Sequence, residues 1–366
     1  MAKLLCLNFG STSTKMAAFE NDEKIFSKSY TPGEDGYPKF KNLAEHQEYA
    51  IDLAAKNLAE FGLSFEDIDA FVARGGGMMT TSSGTFAINE ILIEDTKKVG
   101  NEQHPGKLGN RICFALGQKY GKPAFVVNQP SSDELIEEAR YTGFKDIYRH
   151  SDIHALNQKE VCYRYAASIE RNYEDLNLIV CHIGGGISVT AHRKGKMIDS
   201  NNIIMGDGPM APTRSGTIPA IPLIEMCFSG KYEMMELIMR VMKNGGLKDH
   251  LGTDDARIVE QRIAEGDEYA KIIYDTMLYQ ISKYAGEMAV ALDGKVDQIL
   301  ITGGMARGKY VTDYISGKLA WIAPSTVIPG EFEMEALAAG AMRVLSGQEE
   351  AKEYTGIPVW TPPVVD

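Results

Sequence analysis

The sequence predicts an α/β protein made of two related domains, and three observations predict it. A strand, loop, strand, turn, strand pattern opens the chain. The same pattern recurs from Leu178, with a run of glycines in its first loop. Between and after the two copies, amphipathic helical stretches alternate with short apolar runs.

The elements follow in order. Leu4 to Leu7 is an apolar strand that leads into Asn8 and the small, hydroxyl-rich stretch from Phe9 to Lys15. Met16 to Phe19 reads as the returning strand, Glu20 to Glu23 as a polar turn and Lys24 to Tyr30 as a third strand. His46 to Phe61, with Tyr49, Leu53 and Leu58 at helical spacing, is an amphipathic helix, and Leu108 to Tyr120 and Gln158 to Tyr173 read the same way. Ala124 to Asn128 is a short strand after the Gly121-Lys122-Pro123 turn. The second meander is Leu178 to Ile183, then Gly184-Gly185-Gly186, Ile187 to His192, a turn at Arg193-Lys194-Gly195, and Lys196 to Asp199. Aligning Gly10 with Gly184 brings both three-strand units into step, which reads as an internal duplication. Tyr269 to Leu292 is a long helix, Val296 to Thr302 a strand ending at Gly303-Gly304, and Glu331 to Leu345 an alanine-rich helix after Pro329-Gly330. The tail from Gly356, with Pro358, Pro362 and Pro363, is expected to run extended on the surface.

A chain of 366 residues suggests two domains, and 44% hydrophobic with 24% charged residues is ordinary globular usage. The 38 basic and 50 acidic residues leave a net charge of −12, a field that repels phosphate backbones and anionic lipid. Nucleic acid and membrane are therefore excluded as main partners, and an anionic substrate needs a local basic pocket. The five cysteines are odd in number and include no CxxC pair, which points to buried free thiols in a reducing cytosol rather than a disulfide scaffold or zinc cluster. Leu4 to Leu7 is too short for a signal peptide and no apolar stretch approaches a membrane span, so a cytoplasmic location is expected.

Several motifs carry chemistry. The Asn8 to Lys15 loop can hold phosphate oxygens on its backbone N–H groups, or be a plain hairpin turn. Three successive glycines, Gly184 to Gly186, exceed what a turn needs and favour close backbone approach to a phosphate chain. The strand before Gly303-Gly304 leads into an expected helix start, which suits nucleotide phosphate or ribose. Arg74, before Gly75-Gly76-Gly77, and Arg214, in Pro212 to Gly216, sit in glycine-framed loops that aim a guanidinium at carboxylate or phosphoryl oxygens; structural ion pairing is the plainer role. His104 and His154 lie in non-periodic segments and His182 ends a strand, whereas His46, His150, His192 and His250 look surface-like. Glu333 stands near the start of the alanine-rich helix, as a dipole partner or a one-carboxylate magnesium site.

These residues resemble a known family. Asn8-Phe9-Gly10-Ser11-Thr12-Ser13-Thr14-Lys15 is similar to the N-P-G-S-T-S-T-K opening of butyrate kinases. So are His154 to Lys159, the stretch Asn177 to Asn202, Arg214 to Thr217, Cys227 to Tyr232, Leu251 to Thr253 with Asp255 to Arg257, and Glu335 to Leu337. The matches are collinear from residue 4 to about 345. The Ala-Leu-Asn-Gln-Lys sequence after His154 resembles the butyrate branch rather than acetate kinases. The chain departs from the pattern at Phe9, His104-Pro105-Gly106, Asn128-Gln129, Ile153, Thr213 and Phe332.

The resemblance implies two duplicated actin-like (ribonuclease H-like) domains with a nucleotide cleft between them. The first would span 1–153 plus about 334–366, and the second 154–333 with most nucleotide contacts. It implies reversible transfer of the ATP γ-phosphoryl group to butanoate, with Mg2+, in a homo-oligomer of two or more chains. The partners are thus ATP or ADP and a short-chain carboxylate or acyl phosphate. A different or branched acid, or a nucleotide-binding paralogue with weak or no turnover, is the alternative. Arg74, His154 and Arg214 would be catalytic. Asn8, Ser11, Thr12, Ser13, Lys15, His182, Gly184, Gly185, Gly186, Asp255, Ala256, Arg257, Gly303 and Gly304 would bind phosphate and nucleotide. His104 and Asn128 would face the substrate, and Glu333 would reach the metal through water.

Overall fold

The structure is a computed structural model that describes all residues except 11, 12, 35, 102 and 364–366. In chain order its strands and helices are β1 (Lys3–Phe9), β2 (Thr14–Glu20), β3 (Glu23–Tyr30), α1 (Leu43–Ala59), β4 (Ala70–Ala73), β5 (Thr85–Ala87), α2 (Glu90–Lys98), α3 (Leu108–Tyr120) and β6 (Ala124–Val127). They continue with α4 (Ala155–Ser168), β7 (Asn177–Ile183), β8 (Ile187–Arg193), β9 (Lys196–Ser200), α5 (Ala220–Phe228), α6 (Met234–Met242), α7 (Leu247–Leu251) and α8 (Ala256–Ala264). The last are α9 (Glu268–Ala291), β10 (Gln298–Gly303), α10 (Lys309–Leu319), β11 (Ser325–Pro329), α11 (Glu333–Leu345) and β12 (Lys352–Glu353).

The chain divides into two compact units, the first Met1–Asp133, Ala155–Asn157 and Phe332–Asp366, the second Glu134–His154 and Gln158–Glu331. Segment 134–153, expected in the first unit, groups with the second. Its bonds explain why: Ile136 N donates to Ile198 O at 2.9 Å, and Arg149 bridges Asp199 at 3.1 Å and Asp207 at 3.3 Å.

Both meanders form as the sequence predicts, and each opens a sheet of the same plan. The first sheet has the order β12-β5-β6-β4-β1-β2-β3 and the second β11-β10-β7-β8-β9. In each, the first meander strand pairs antiparallel with the second and parallel with a later strand, β4 beside β1 and β10 beside β7. A register shift recurs late in both second strands, at Ala18/Phe19 and at Ala191/His192.

Side-chain alternation then sets two layers in each unit. In β1, Leu5, Leu7 and Phe9 pack with α1 and α3 residues such as Leu58 and Ile112, whereas Leu4 and Cys6 pack with Leu337 and Ala341 of α11. In the second unit, Ile179, Cys181, Val189 and Ala191 pack with Leu278 and Ile281 of α9. The opposite face of β8 carries Ser188, Thr190 and His192, all fully buried.

The largest differences from expectation lie at two helices. The helix expected over 158–173 runs from Ala155 to Ser168, because Glu170 takes a left-handed φ of 54° that no helix continues through. The helix expected directly after Gly303-Gly304 is only a short 3-10 turn, Gly304–Arg307, and α10 begins at Lys309. Gly303 ends the strand at φ 93° with a reciprocal backbone pair to Gly330, at 3.1 and 3.0 Å, and a Cβ there would lie 2.3 Å from Ile183 O.

Cys6, Cys113, Cys162 and Cys181 are buried free thiols, and Cys227 is free and exposed. Among the described residues no helix is long and apolar enough to cross a membrane. The packing of α11 under the N-terminal sheet yields a stability prediction. Leu337, fully buried there, is expected to cost about 2–5 kcal/mol when replaced by alanine, read as a lower urea midpoint for the Leu337→Ala protein.

Candidate active site

The first cluster gathers at the loop end of the N-terminal meander. Asn8 follows Leu4 and Cys6 on the α11 face of β1, Lys15 precedes Ala17 on the same face of β2, and Arg74 follows Val72 at the end of β4. All three therefore meet Glu333, the first residue of α11. Asn8 Nδ2 donates to Glu333 Oε2 at 2.8 Å, Lys15 Nζ lies 3.4 Å from the same oxygen, and Arg74 Nε lies 3.6 Å from Oε1. Asn8 is buried, and its Oδ1 has no hydrogen-bond partner among the described residues. Ser13 closes the loop through its carbonyl, which accepts from Gly10 N at 2.8 Å. Ser11 and Thr12 lie outside the described residues.

The second cluster gathers at the loop end of the other meander. His182, next to last in β7, points to the face away from α9, and its imidazole stacks on that of His154, with centroids 3.9 Å apart and planes 12° apart. His154 Nδ1 lies 2.8 Å from Ser188 Oγ. Gly184 to Gly186 turn the chain beside them, with Gly184 N donating to Gly186 O at 3.0 Å. Arg214 lies so close over Gly186 that a Cβ there would fall 1.2 Å from Nη1. Its Nε and Nη1 are buried and have no hydrogen-bond partner among the described residues. Burial pulls this guanidinium below its ordinary pKa, and the nearby Asp152 carboxylate opposes that shift. A buried cation with open donors, a glycine turn and a positioned imidazole have the chemistry suited to an anionic, phosphate-like group.

Butyrate kinase 2 of Clostridium acetobutylicum is 44% identical over 352 residues, covering 96% of this chain and 99% of that protein. The chain belongs to the acetokinase family. The family's sequence model, described as the acetokinase family, matches residues 140–316. A propionate kinase structure from Francisella tularensis superposes with a TM-score of 0.76 at 20% identity, covering 93% of this chain and 99% of that one. An acetate kinase structure from Porphyromonas gingivalis gives 0.76 at 20% identity over 94% and 100% of the two chains. The acetokinase fold, a mixed α/β architecture with two sheets of the duplicated actin-like kind, is thus the fold of this chain.

Within this acetokinase chain, the sequence-predicted residues fall into three groups. Asn8, Lys15, Arg74 and Glu333 come together in the first unit, and His154, His182, Gly184 to Gly186 and Arg214 in the second. A third group has local structural contacts. Asp255 caps α8, accepting from Arg257 N at 2.9 Å, and its carboxyl is drawn down to about 2 chiefly by the Arg257 side chain, while Arg257 itself is exposed. Ala256 is the first residue of that helix, and Gly304 opens the short turn after β10. His104 is exposed and accepts from Gly106 N at 3.1 Å. Asn128, left-handed at φ 39°, accepts from Gly84 N at 2.7 Å, so its amide serves a turn between neighbouring segments.

Two histidines that look surface-like in the sequence are buried. His46 stacks on Phe40 at 4.1 Å and lies 2.5 Å from Tyr37 OH, and His192 is fully buried in β8. Gln158, Ser188, His192 and Tyr173 were not among the candidates, yet they form a bonded chain behind His154. For Ser188 and His192 the sequence signal is a polar Ser-Val-Thr-Ala-His alternation inside an otherwise apolar meander.

Burial lowers His46 to about 4 and His192 to about 3, with Lys159 adding to the second shift and Glu134 opposing it. Both rings fold neutral, whereas the unfolded chain takes up their protons near pH 6.5. The unfolded state therefore binds more protons below that pH, and stability falls as pH drops from about 6.5 toward 4 and 3. Urea midpoints measured across pH 7.5 to 4.5 should fall, and His192→Gln should flatten part of that slope.

Proposed function

We propose that this chain is a carboxylate kinase that transfers the γ-phosphoryl group of ATP reversibly to butanoate, giving butanoyl phosphate and ADP. The observation that carries the reading is its 44% identity over 352 residues to a butyrate kinase. The site chemistry supports it. A carboxylate is ionised and nucleophilic near neutral pH, so the reaction needs alignment and charge neutralisation rather than a general base.

Arg214, with buried donors that no described residue uses, takes the transferring phosphoryl group. His154 donates a hydrogen bond to that group, and His182 with Gly184 to Gly186 lines the phosphate chain. Arg74 binds the carboxylate of the acid, and Asn8, Ser13 and Lys15, with Ser11 and Thr12 outside the described residues, approach phosphate oxygens. Asp255, Ala256, Arg257, Gly303 and Gly304 lie toward the adenosine end, and His104 and Asn128 toward the acid.

A Mg2+ ion carried on the phosphates of ATP needs few protein ligands. The described residues hold no group of three or more His, Cys, Asp or Glu side chains suited to a metal. They do supply the Glu333 carboxylate beside the unpartnered Asn8 Oδ1, two oxygens suited to waters on such an ion. Since Glu333 already faces Lys15 and Arg74, contact through water fits better than direct ligation. The ion supplies charge neutralisation of the phosphates; the chain's residues orient them. A cytoplasmic homo-oligomer completes the proposal, its covered face being α5, where Ile221, Ile224 and Phe228 are exposed. Sedimentation at several protein concentrations tests that face.

The direct test traps acyl phosphate as hydroxamate with ATP, Mg2+ and a panel of acids of two to six carbons. Butanoate should give the highest kcat/KM. An optimum at another or a branched acid would change the substrate alone. No hydroxamate with any acid would leave a nucleotide-binding paralogue. Arg74→Ala and Arg214→Ala should each fold and lose about 100-fold or more in kcat. Gly186→Ala should also fold, because the glycine has no left-handed φ, yet lose turnover as its methyl displaces Arg214. Normal turnover in that variant would mean Arg214 does not act from this position.

A further inference from the structure

The face of β8 turned toward α4 is polar although it is buried, with Ser188, Thr190 and His192 each fully enclosed. Buried polar groups of this kind must find partners, and theirs run in one direction. Gln158 Nε2, from α4, donates to Ser188 Oγ at 2.7 Å and approaches the Ser188 carbonyl at 3.4 Å. Gln158 Oε1 lies 2.9 Å from His192 Nε2. His192 Nδ1 lies 2.6 Å from Tyr173 OH and 3.6 Å from Cys162 Sγ. The other end is His154, whose Nδ1 is 2.8 Å from Ser188 Oγ.

The hydrogens in this chain can be assigned in order. A carbonyl only accepts, so the Gln158 nitrogen faces Ser188 and its oxygen faces His192. His192 Nε2 must then carry a hydrogen. Its Nδ1 is left as the acceptor for Tyr173 OH, which suits a ring that burial holds neutral. Lys159, paired with Glu134 at 2.9 Å and 5.5 Å above the Tyr173 ring, further opposes a proton on His192. At the other end, Ser188 Oγ already accepts from Gln158. Its own hydrogen has one acceptor among the described residues, His154 Nδ1. Leaving that hydroxyl without an acceptor in a dry interior would be costly.

We propose that Ser188, Gln158, His192 and Tyr173 are positioning residues that hold His154 in the tautomer protonated at Nε2. The inference rests on reading His154 as the donor to the transferring phosphoryl group. A hydrogen on Nε2 meets phosphoryl oxygens as a donor, whereas a lone pair there would repel them. The stack on His182 fixes the ring plane, and the Ser188 bond fixes which nitrogen points inward.

The test is a long-range 15N–1H correlation spectrum of the full chain labelled at histidine, without substrate at pH 7.5. The His154 signals are those lost in His154→Gln. The expected spectrum has an unprotonated Nδ1 and a protonated Nε2. A hydrogen on Nδ1, or on both nitrogens, overturns the proposal. Ser188→Ala should mix the tautomers and lower kcat on the order of tenfold to a hundredfold, with KM for ATP little changed. Ser188→Thr, which keeps the hydroxyl, should retain both tautomer and rate. An alanine variant with normal kcat and an unchanged spectrum overturns the positioning role. Should that variant not fold, the spectrum of the unaltered chain decides alone. If His154→Gln keeps its turnover while the spectrum is as expected, the positioning role and the reading of His154 both fall, and the hydrogen-bond assignment stands.

Discussion

A strand buried on both faces has no freedom of register, because a slip of one residue sends its whole apolar set to the wrong layer. β1 and β7 are such strands, each buried over six of seven residues. That constraint aims Asn8 and His182. With Leu4 and Cys6 committed to the α11 layer, Asn8 can point only toward the start of α11, where Glu333 waits. With Cys181 and Ile183 committed to the α9 layer, His182 can point only to the opposite side, where His154 stacks on it. The site is thus an end effect of core packing: the last residue of a strand's inner row is polar and meets whatever begins the covering helix.

Rigidity around Arg214 comes from a different source. Its loop has no regular structure, yet its backbone is tied at several points. Ala211 N bonds Arg214 O at 3.1 Å, Ser215 N bonds Val241 O at 3.1 Å and Gly245 N bonds Thr213 O at 3.1 Å. Thr213 Oγ1 reaches across to Gly185 O at 3.0 Å, joining this loop to the glycine turn. A guanidinium held so, with two nitrogens buried and unpartnered among the described residues, lowers stability. A flexible surface arginine would avoid that cost, but it would have to be ordered at the moment of binding.

Much of this was legible in the residues. The two meanders, α1, α3 and α9 and the strand before Gly303 follow from periodicity and turn chemistry, because each has one dominant pattern. Helix α5 does not, since it is apolar but for Glu225 and none of its residues is buried. His192 looks exposed because β8 alternates polar and apolar residues as a half-exposed strand does, yet its polar row is buried, and His46 because its burial comes from Tyr37 and Phe40 in an irregular segment. At Asp255 and Arg257 a family motif coincides with a helix cap, so resemblance and local folding point to the same residues. The Ala-Leu-Asn-Gln-Lys stretch includes Gln158 but does not show the role of this residue, whose partners lie 30 and 34 residues away.

The duplicated meanders also show what divergence on one scaffold can do. By strand register, Asn8 opposite Lys15 occupies the place that His182 opposite Ser188 occupies in the second copy. Around the first pair the chain assembled charges: Lys15 and Arg74 against the Glu333 carboxylate, all partly open to solvent. Around the second it assembled neutral donors and acceptors, running inward through Gln158 to a histidine that burial keeps uncharged. Solvent can screen and reorganise around the first set, so its charges can adjust to an incoming ion or phosphate. The second set lies where no water can replace a missing partner, so each hydrogen has one assignable place. A neutral, fully bonded chain is therefore the form in which a buried layer can transmit orientation to a surface-facing imidazole without placing an unpaired charge in the core.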